Sequence, residues 1–215
     1  MLSKRPNVGI LDYGTGNLRS VEKAFMHLDI NASIISTPDR LSEIDALVFP
    51  GQGTFDQCMD ALNKTGFSTA IKEWISLDKP FLGVCLGLQA LFEKSEEGKS
   101  KGLGVFPGYV KKFTLQQNFK IPHMGWNSVD WGELEHMPIC EGLSNSDQFY
   151  FVHSYHVVLG DQSVNTVSTC YGYPFVSGIL NKNCFATQFH PEKSQSKGLQ
   201  IYRNFIEKVV ADISP

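Results

Sequence analysis

The sequence predicts an α/β fold, with a mostly parallel central sheet flanked by helices and additional antiparallel strands in the C-terminal half. Three observations predict it. Short apolar runs of buried-strand type recur early in the chain, at Val8–Leu11, Ala32–Ile35, Ala46–Phe49 and Pro80–Val84. Segments with apolar residues three and four apart lie between them, and strands alternating with helices at this spacing build a parallel sheet covered on both faces. After Phe92 the texture changes to short strands and turns.

Val8–Leu11 reads as the first strand and Asp12–Asn17 as the loop after it. Leu18, Val21, Phe25 and Leu28 then mark an amphipathic helix. A short strand follows at Ala32–Ile35, and a turn or short helix at Pro38–Ile44. The third strand, Ala46–Phe49, ends in Pro50-Gly51-Gln52-Gly53. Helical pattern resumes over Phe55–Leu62 and Phe67–Ile75. The strand Pro80–Val84 runs into Cys85, and Leu88, Leu91 and Phe92 predict a helix after it. Glu93–Lys101 is charged and glycine-bearing, a surface loop. Further strands are expected at Tyr109–Phe113, Ser128–Trp131, Phe149–Val152, Tyr155–Val158, Val164–Thr169, Phe175–Leu180 and Cys184–Gln188. Leu199, Tyr202, Phe205, Ile206 and Val209 predict a terminal amphipathic helix over Ser194–Ile213.

A chain of 215 residues buries one good core, so a single domain over 1–215 is expected. A net charge of −3 does not suggest a nucleic-acid partner. No run of eighteen apolar residues is present, so no membrane span is expected. The N-terminus lacks the apolar core of a signal peptide. Five cysteines, an odd count without a CxxC pair, argue against a disulfide framework or a zinc site and fit a reducing cytoplasm.

Cys85 is the organising residue. It sits where a strand turns into a helix, with Gly83 and Gly87 two residues away on each side. Small residues suit a sharp strand-to-helix turn, because the backbone is crowded there. This is a cysteine form of the nucleophile elbow. A helix N-terminus near the sulfur favours the thiolate, and the backbone N–H of Leu86 can help hold an oxyanion. The alternative is a buried structural cysteine at a strand end.

A cysteine nucleophile needs a base, and the base an orienter. In Thr187-Gln188-Phe189-His190-Pro191-Glu192 a strand ends and Pro191 holds the chain extended. Residues two apart then share a side, so Glu192 can hold His190 in the right tautomer. His153 and His156 are the rival bases, but neither has a carboxylate two or three residues away. His27 lies on a helix and His136 in a polar loop. Gly51-Gln52-Gly53 is a second glycine-bearing turn at a strand end. Its glycines permit a backbone flip, and its N–H groups can complete an oxyanion hole with Leu86. Gly14-Thr15-Gly16 invites a dinucleotide reading. Arg19 stands where a third small residue is needed, and no acidic residue ends the second strand, so that reading is rejected.

Gly83-Val84-Cys85-Leu86-Gly87-Leu88-Gln89, Pro50-Gly51-Gln52-Gly53 and His190-Pro191-Glu192 together resemble the class I glutamine amidotransferases, whose fold is flavodoxin-like. Asp12-Tyr13-Gly14-Thr15-Gly16-Asn17-Leu18, Pro122-His123-Met124-Gly125-Trp126-Asn127 and Tyr150-Phe151-Val152-His153-Ser154-Tyr155 look like the glutaminase subunits of imidazole glycerol phosphate synthases. The resemblance covers nearly the whole chain. It implies hydrolysis of glutamine by Cys85, His190 and Glu192 through a thioester, with an oxyanion hole at Leu86 and Gln52. It implies substrate contacts at Gly51, Gly53, Gln89, Ser154 and Tyr155, and neither cofactor nor metal. It implies a heterodimer with a (β/α)8-barrel cyclase. That partner adds the ammonia to a phosphoribulosyl intermediate, giving imidazole glycerol phosphate and an aminoimidazole carboxamide ribotide in histidine synthesis. Asn17, Trp126 and Lys193 match family positions at or near that interface. Gln52 departs from the family, which usually has an apolar residue there.

Three other readings carry different chemistry or different customers. A paralogous subunit would feed ammonia to another synthase, for instance one making an amidino sugar. A cysteine peptidase on the same kind of sheet would not release glutamate from glutamine. A non-catalytic binding module would leave Cys85 silent toward a glutamine-like alkylating analogue.

Overall fold

The computed structural model describes residues 6–14 and 17–210. Thr15 and Gly16 of the first loop, and residues 211–213 of the expected terminal helix, lie outside the described residues. The first strands are β1 (Val8–Leu11), β2 (Ala32–Ile35), β3 (Ala46–Gly51) and β4 (Phe81–Cys85). They are joined by α1 (Leu18–His27), a 3-10 turn (Pro38–Glu43), α2 (Phe55–Thr65) and α3 (Phe67–Ser76). A single-turn helix, α4 (Leu86–Gln89), follows Cys85. Then come β5 (Lys94–Ser95), β6 (Gly108–Lys112), β7 (His123–Ser128), β8 (Gln148–His153) and β9 (Tyr155–Leu159). β10 (Asn165–Tyr171), β11 (Tyr173–Asn181), β12 (Cys184–Thr187) and α5 (Gln195–Asn204) complete the order, and α5 widens into π-type turns over Phe205–Val210.

The main sheet runs β2-β1-β3-β4-β12-β11-β9-β6-β5, with β10 against β11. From β2 to β12 every pairing is parallel. β11 pairs antiparallel with β12 and β9, and β9 with β6. β7 and β8 form a separate antiparallel ribbon.

Strand alternation sorts the core into two layers. Val8, Ile10, Ala46, Val48, Leu82 and Val84 face α1 and α5. Leu11, Leu47, Phe49 and Phe81 face α2 and α3. Phe25 of α1 meets Tyr202 of α5 with ring centroids 4.8 Å apart. Among the described residues, no helix is long and apolar enough to cross a membrane.

Two expected elements differ. The helix after Cys85 does not reach Phe92. The chain tightens instead, with Leu91 N–H donating to Leu88 O and Phe92 N–H to Gln89 O, both at 3.2 Å. The returning chain takes the carbonyls that a continuing helix would use next: Leu103 N–H donates to Ala90 O at 2.8 Å, and Val105 N–H to Leu91 O at 2.8 Å. Leu88, Leu91 and Phe92 are apolar because all three are fully buried. The strand expected at Ser128–Trp131 is displaced to His123–Ser128. Val129 and Trp131 are core residues instead, and Asp130 makes only an isolated bridge to Ser168.

The elbow depends on a close backbone approach. A Cβ on Gly87 would stand 2.1 Å from the Phe49 carbonyl oxygen of β3. Backbone cannot yield as a side chain tip can. Gly87→Ala is therefore expected to cost about 3 kcal/mol or more, the upper end of ordinary overpacking. Chemical denaturation checks this, and an unchanged midpoint would remove the packing argument.

Candidate active site

Sheet register assembles the site. Gly51 of β3 lies beside Cys85 of β4, and Thr187 of β12 beside Val84. The carboxyl ends of three parallel strands therefore open onto one place, where open α/β sheets carry their chemistry. Cys85 has φ 56° and ψ −104°. A non-glycine residue in that conformation stores about 1–3 kcal/mol and persists only when its surroundings fix it. Here β4 fixes one side and α4 the other. Because α4 is one turn long, its help to a thiolate comes from first-turn N–H groups alone.

His190 and Glu192 are both buried, and His190 Nδ1 lies 2.7 Å from Glu192 Oε1. The two meet by a different route from simple alternation. His190 is extended, but Pro191 opens a 3-10 turn (Pro191–Lys193) that swings Glu192 back under the ring. Ser194 Oγ donates to the His190 carbonyl at 2.6 Å and accepts from Tyr150 N–H, which pins the backbone. Tyr202 Oη, from α5, donates to Glu192 Oε2 at 3.5 Å. Burial alone would push His190 down. The charges of Cys85 and Glu192 and the hydrogen bond to Glu192 outweigh it, and raise the imidazole to about 10. His190 Nε2 is fully covered, and no described residue meets it with hydrogen-bond geometry. The Cys85 sulfur is nevertheless the group that raises it most.

Cys85 and His190 border a cleft of about 390 Å³, lined also by Gly51, Gln52, Gly53, Leu86, Gln89, Ser154 and Tyr155. Cys85, His190 and every residue assigned from sequence to the oxyanion or the substrate are thus at one cleft, and Glu192 reaches it only through His190. Gln89 does not project freely into it. Its Nε2 donates to the Tyr155 carbonyl at 3.1 Å and to Gln188 Oε1 at 2.9 Å. Gln188 Nε2 in turn donates to Cys85 Sγ at 3.6 Å. Sequence reasoning passed over Gln188, although it stands two residues before His190 and shares its face by strand alternation. It also missed Glu97, which lines the cleft from the loop read as plain surface. The carboxylate of Glu97 accepts the Phe55 N–H at 2.8 Å. No local pattern announces that contact.

The turn after β3 carries a further detail. Gln52 N–H donates to Tyr13 Oη at 3.3 Å, and Tyr13 Oη donates to the Gln52 carbonyl at 3.4 Å. Tyr13 follows β1, so the switch point of the sheet ties the turn down. Gly53 has φ +98°, open to glycine and strained for other residues.

Of the expected interface residues, Trp126 is 43% exposed on β7, and its ring meets Tyr150 at 6.1 Å. Lys193 Nζ lies over the same Tyr150 ring at 6.0 Å and also borders the cleft. Asn17 stands at the start of α1, which packs beside the Pro191–Lys193 turn. Among the described residues, no group of histidine, cysteine and acidic side chains is arranged to hold a metal.

The chain is similar to known proteins over nearly its whole length. The glutamine amidotransferase class-I family matches residues 9–209. The HisH subunit of imidazole glycerol phosphate synthase from Nitrosomonas europaea is 44% identical over 210 residues, covering 94% of this chain and 98% of that one. The chloroplastic hisHF imidazole glycerol phosphate synthase of Arabidopsis thaliana is 45% identical over 202 residues, and this chain spans 34% of its length. A solved glutamine amidotransferase, 18% identical, superposes with a TM-score of 0.73 over 96% of this chain and 99% of that one.

Glu192 is among the groups that raise His190, so removing its charge lowers the imidazole pKa. Glu192→Gln is expected to bring the His190 titration, followed by NMR, down from its raised position. Glutamine turnover should fall by about 10²–10⁴-fold, the range for lost orienters. A His190 titration that stays put would show that Glu192 does not hold the ring charged.

Proposed function

Because this chain belongs to the glutamine amidotransferase class-I family, we propose that it is the glutaminase subunit of an imidazole glycerol phosphate synthase, with residues 1–215 acting as one amidotransferase domain. Identity near 44% to HisH subunits over almost the whole chain supports this subunit rather than another amidotransferase. The observation that carries the chemistry is His190, held by the buried Glu192, bordering the same cleft as the strained Cys85.

The reaction follows from that placement. Cys85 sulfur attacks the side-chain amide carbon of glutamine, forming the C–S bond. Protonated His190 gives its Nε2 proton to the amide nitrogen as the C–N bond breaks, and ammonia leaves. Neutral His190 then takes a proton from water, which attacks the thioester, releasing glutamate and restoring the thiolate. Glu97 is the cleft carboxylate suited to the substrate's α-ammonium. Backbone N–H groups of Leu86 and the 51–53 turn hold the oxyanion. In the turn as it stands, the Gln52 N–H is directed at Tyr13 Oη, so that donor must reorient to serve.

The ammonia goes to a barrel-type cyclase docked over the ribbon face that carries Trp126, beside Lys193. The hisHF relative, in which a homologous segment is about a third of a longer chain, supports such a physical association.

Cys85→Ala is expected to abolish glutamine-dependent synthesis by the complex while ammonia-dependent synthesis persists. Loss of both would make Cys85 structural. Gln52→Val is expected to change the rate without partner ligand more than the stimulated rate, because it alters the resting turn. Steady-state glutamate release, with and without the liganded cyclase, checks it; equal effects on both rates would remove that role.

A further inference from the structure

Two buried histidines remain outside the chemistry above. His123 and His153 are directly paired across β7 and β8. They are 3% and 6% exposed. His123 is sandwiched between Tyr171, at 4.0 Å, and Phe151, at 4.7 Å. His153 borders the cleft.

Their hydrogen bonds allow one arrangement of protons. His153 Nδ1 lies 2.7 Å from the Tyr155 carbonyl, which only accepts, so His153 carries its proton on Nδ1. His153 Nε2 is then an acceptor. It lies 3.0 Å from His123 Nδ1, which must be the donor. His123 Nε2 then accepts from Asn127 Nδ2 at 3.3 Å. Asn127 cannot turn over to reverse this. Its Oδ1 accepts from Ser128 N–H at 2.9 Å, and its Nδ2 also donates to the Cys170 carbonyl at 3.0 Å. A proton added to either ring would set N–H against N–H.

We propose that Asn127, His123 and His153 form a relay of fixed polarity that holds the Tyr155 carbonyl at the cleft wall, making His123 a positioning residue for the bound substrate. The same carbonyl accepts from Gln89, which leads through Gln188 to the Cys85 sulfur. The relay therefore runs from β7, next to exposed Trp126, to the nucleophile. Burial pushes His123 down to about 4 and His153 to about 3, so both rings stay neutral. What the cleft holds rests on the glutaminase reading; the relay itself does not.

Long-range ¹H–¹⁵N NMR of the whole chain reads the tautomers directly. Both rings are expected as neutral Nδ1–H between about pH 6 and 8. Either ring found as Nε2–H or imidazolium there overturns the relay. In the glutaminase assay with the liganded cyclase, His123→Phe keeps the stacking but removes the donor. It is expected to raise KM for glutamine about tenfold with a smaller change in kcat, and to release His153 from its single tautomer. His123→Asn, which keeps a donor at the Nδ1 position, should restore both. Asn127→Asp is half-exposed and equal in size, so it retains the fold; it should shift the His153 tautomer and KM in the same direction by calling the His123 proton to Nε2. Unchanged KM in His123→Phe and Asn127→Asp overturns the positioning role. A chain with the expected tautomers that hydrolyses no glutamine overturns the glutaminase reading and leaves the relay standing.

Discussion

The parallel pairing of β4 with β3 on one side and β12 on the other governs the rest of the structure. Parallel strands end together, so Gly51, Cys85 and the segment leading to His190 reach one edge of the sheet. A slip of one residue would reverse every side chain between the two core layers, and the full burial on both faces forbids it. The same pairing seats Gly87 against the Phe49 carbonyl and so holds α4 where Cys85 must turn sharply to meet it. The strain at Cys85 persists because strand and helix leave no room for relief.

On that frame the protein sets its buried histidines in opposite ways. His190 is kept charged by a carboxylate and a sulfur, which together outweigh burial. Among the described residues His123 and His153 have no carboxylate partner, and burial keeps them neutral. His190's own charge further depresses His153. The positive charge is thereby confined to the ring that faces the nucleophile. An isolated buried charge would be costly; here the pair is completed by hydrogen bonds from Tyr202 and Ser194 to its side chain and backbone.

The parallel half of the fold was legible because local signals agree: the apolar runs of β1, β3 and β4 are buried, and the helix faces follow from spacing. Cys85, His190 and Glu192 were legible because elbow and base-plus-orienter spacings are short-range. What failed was also physical. Leu91 and Phe92 are apolar because they are buried, and helical spacing could not reveal that the turn would tighten there and residues 103–106 would take the carbonyls of residues 90–92. Val129 and Trp131 alternate like a strand but fill the core under the ribbon. Extended geometry was the wrong reason for the His190–Glu192 contact, since Pro191 begins a turn there. Glu97 reaches the cleft through contacts distant in sequence. His123 was visible as part of a motif, yet its partner stands thirty residues away across a ribbon.

The Tyr155 carbonyl is where these threads meet. It accepts from Gln89 on one side and from His153 on the other. A carbonyl oxygen has two lone pairs, and both are used by the protein. It therefore has little capacity left for a substrate donor. Glu97, which lines the same cleft, leaves a carboxylate free of that limit. Tyr155 thus serves the site as a fixed wall and as the junction between an outer ribbon and the Cys85 sulfur. This accounts for two glutamines, Gln89 and Gln188, being buried beside a reactive sulfur: their amides carry the connection across a region where an unpaired polar group would be expensive.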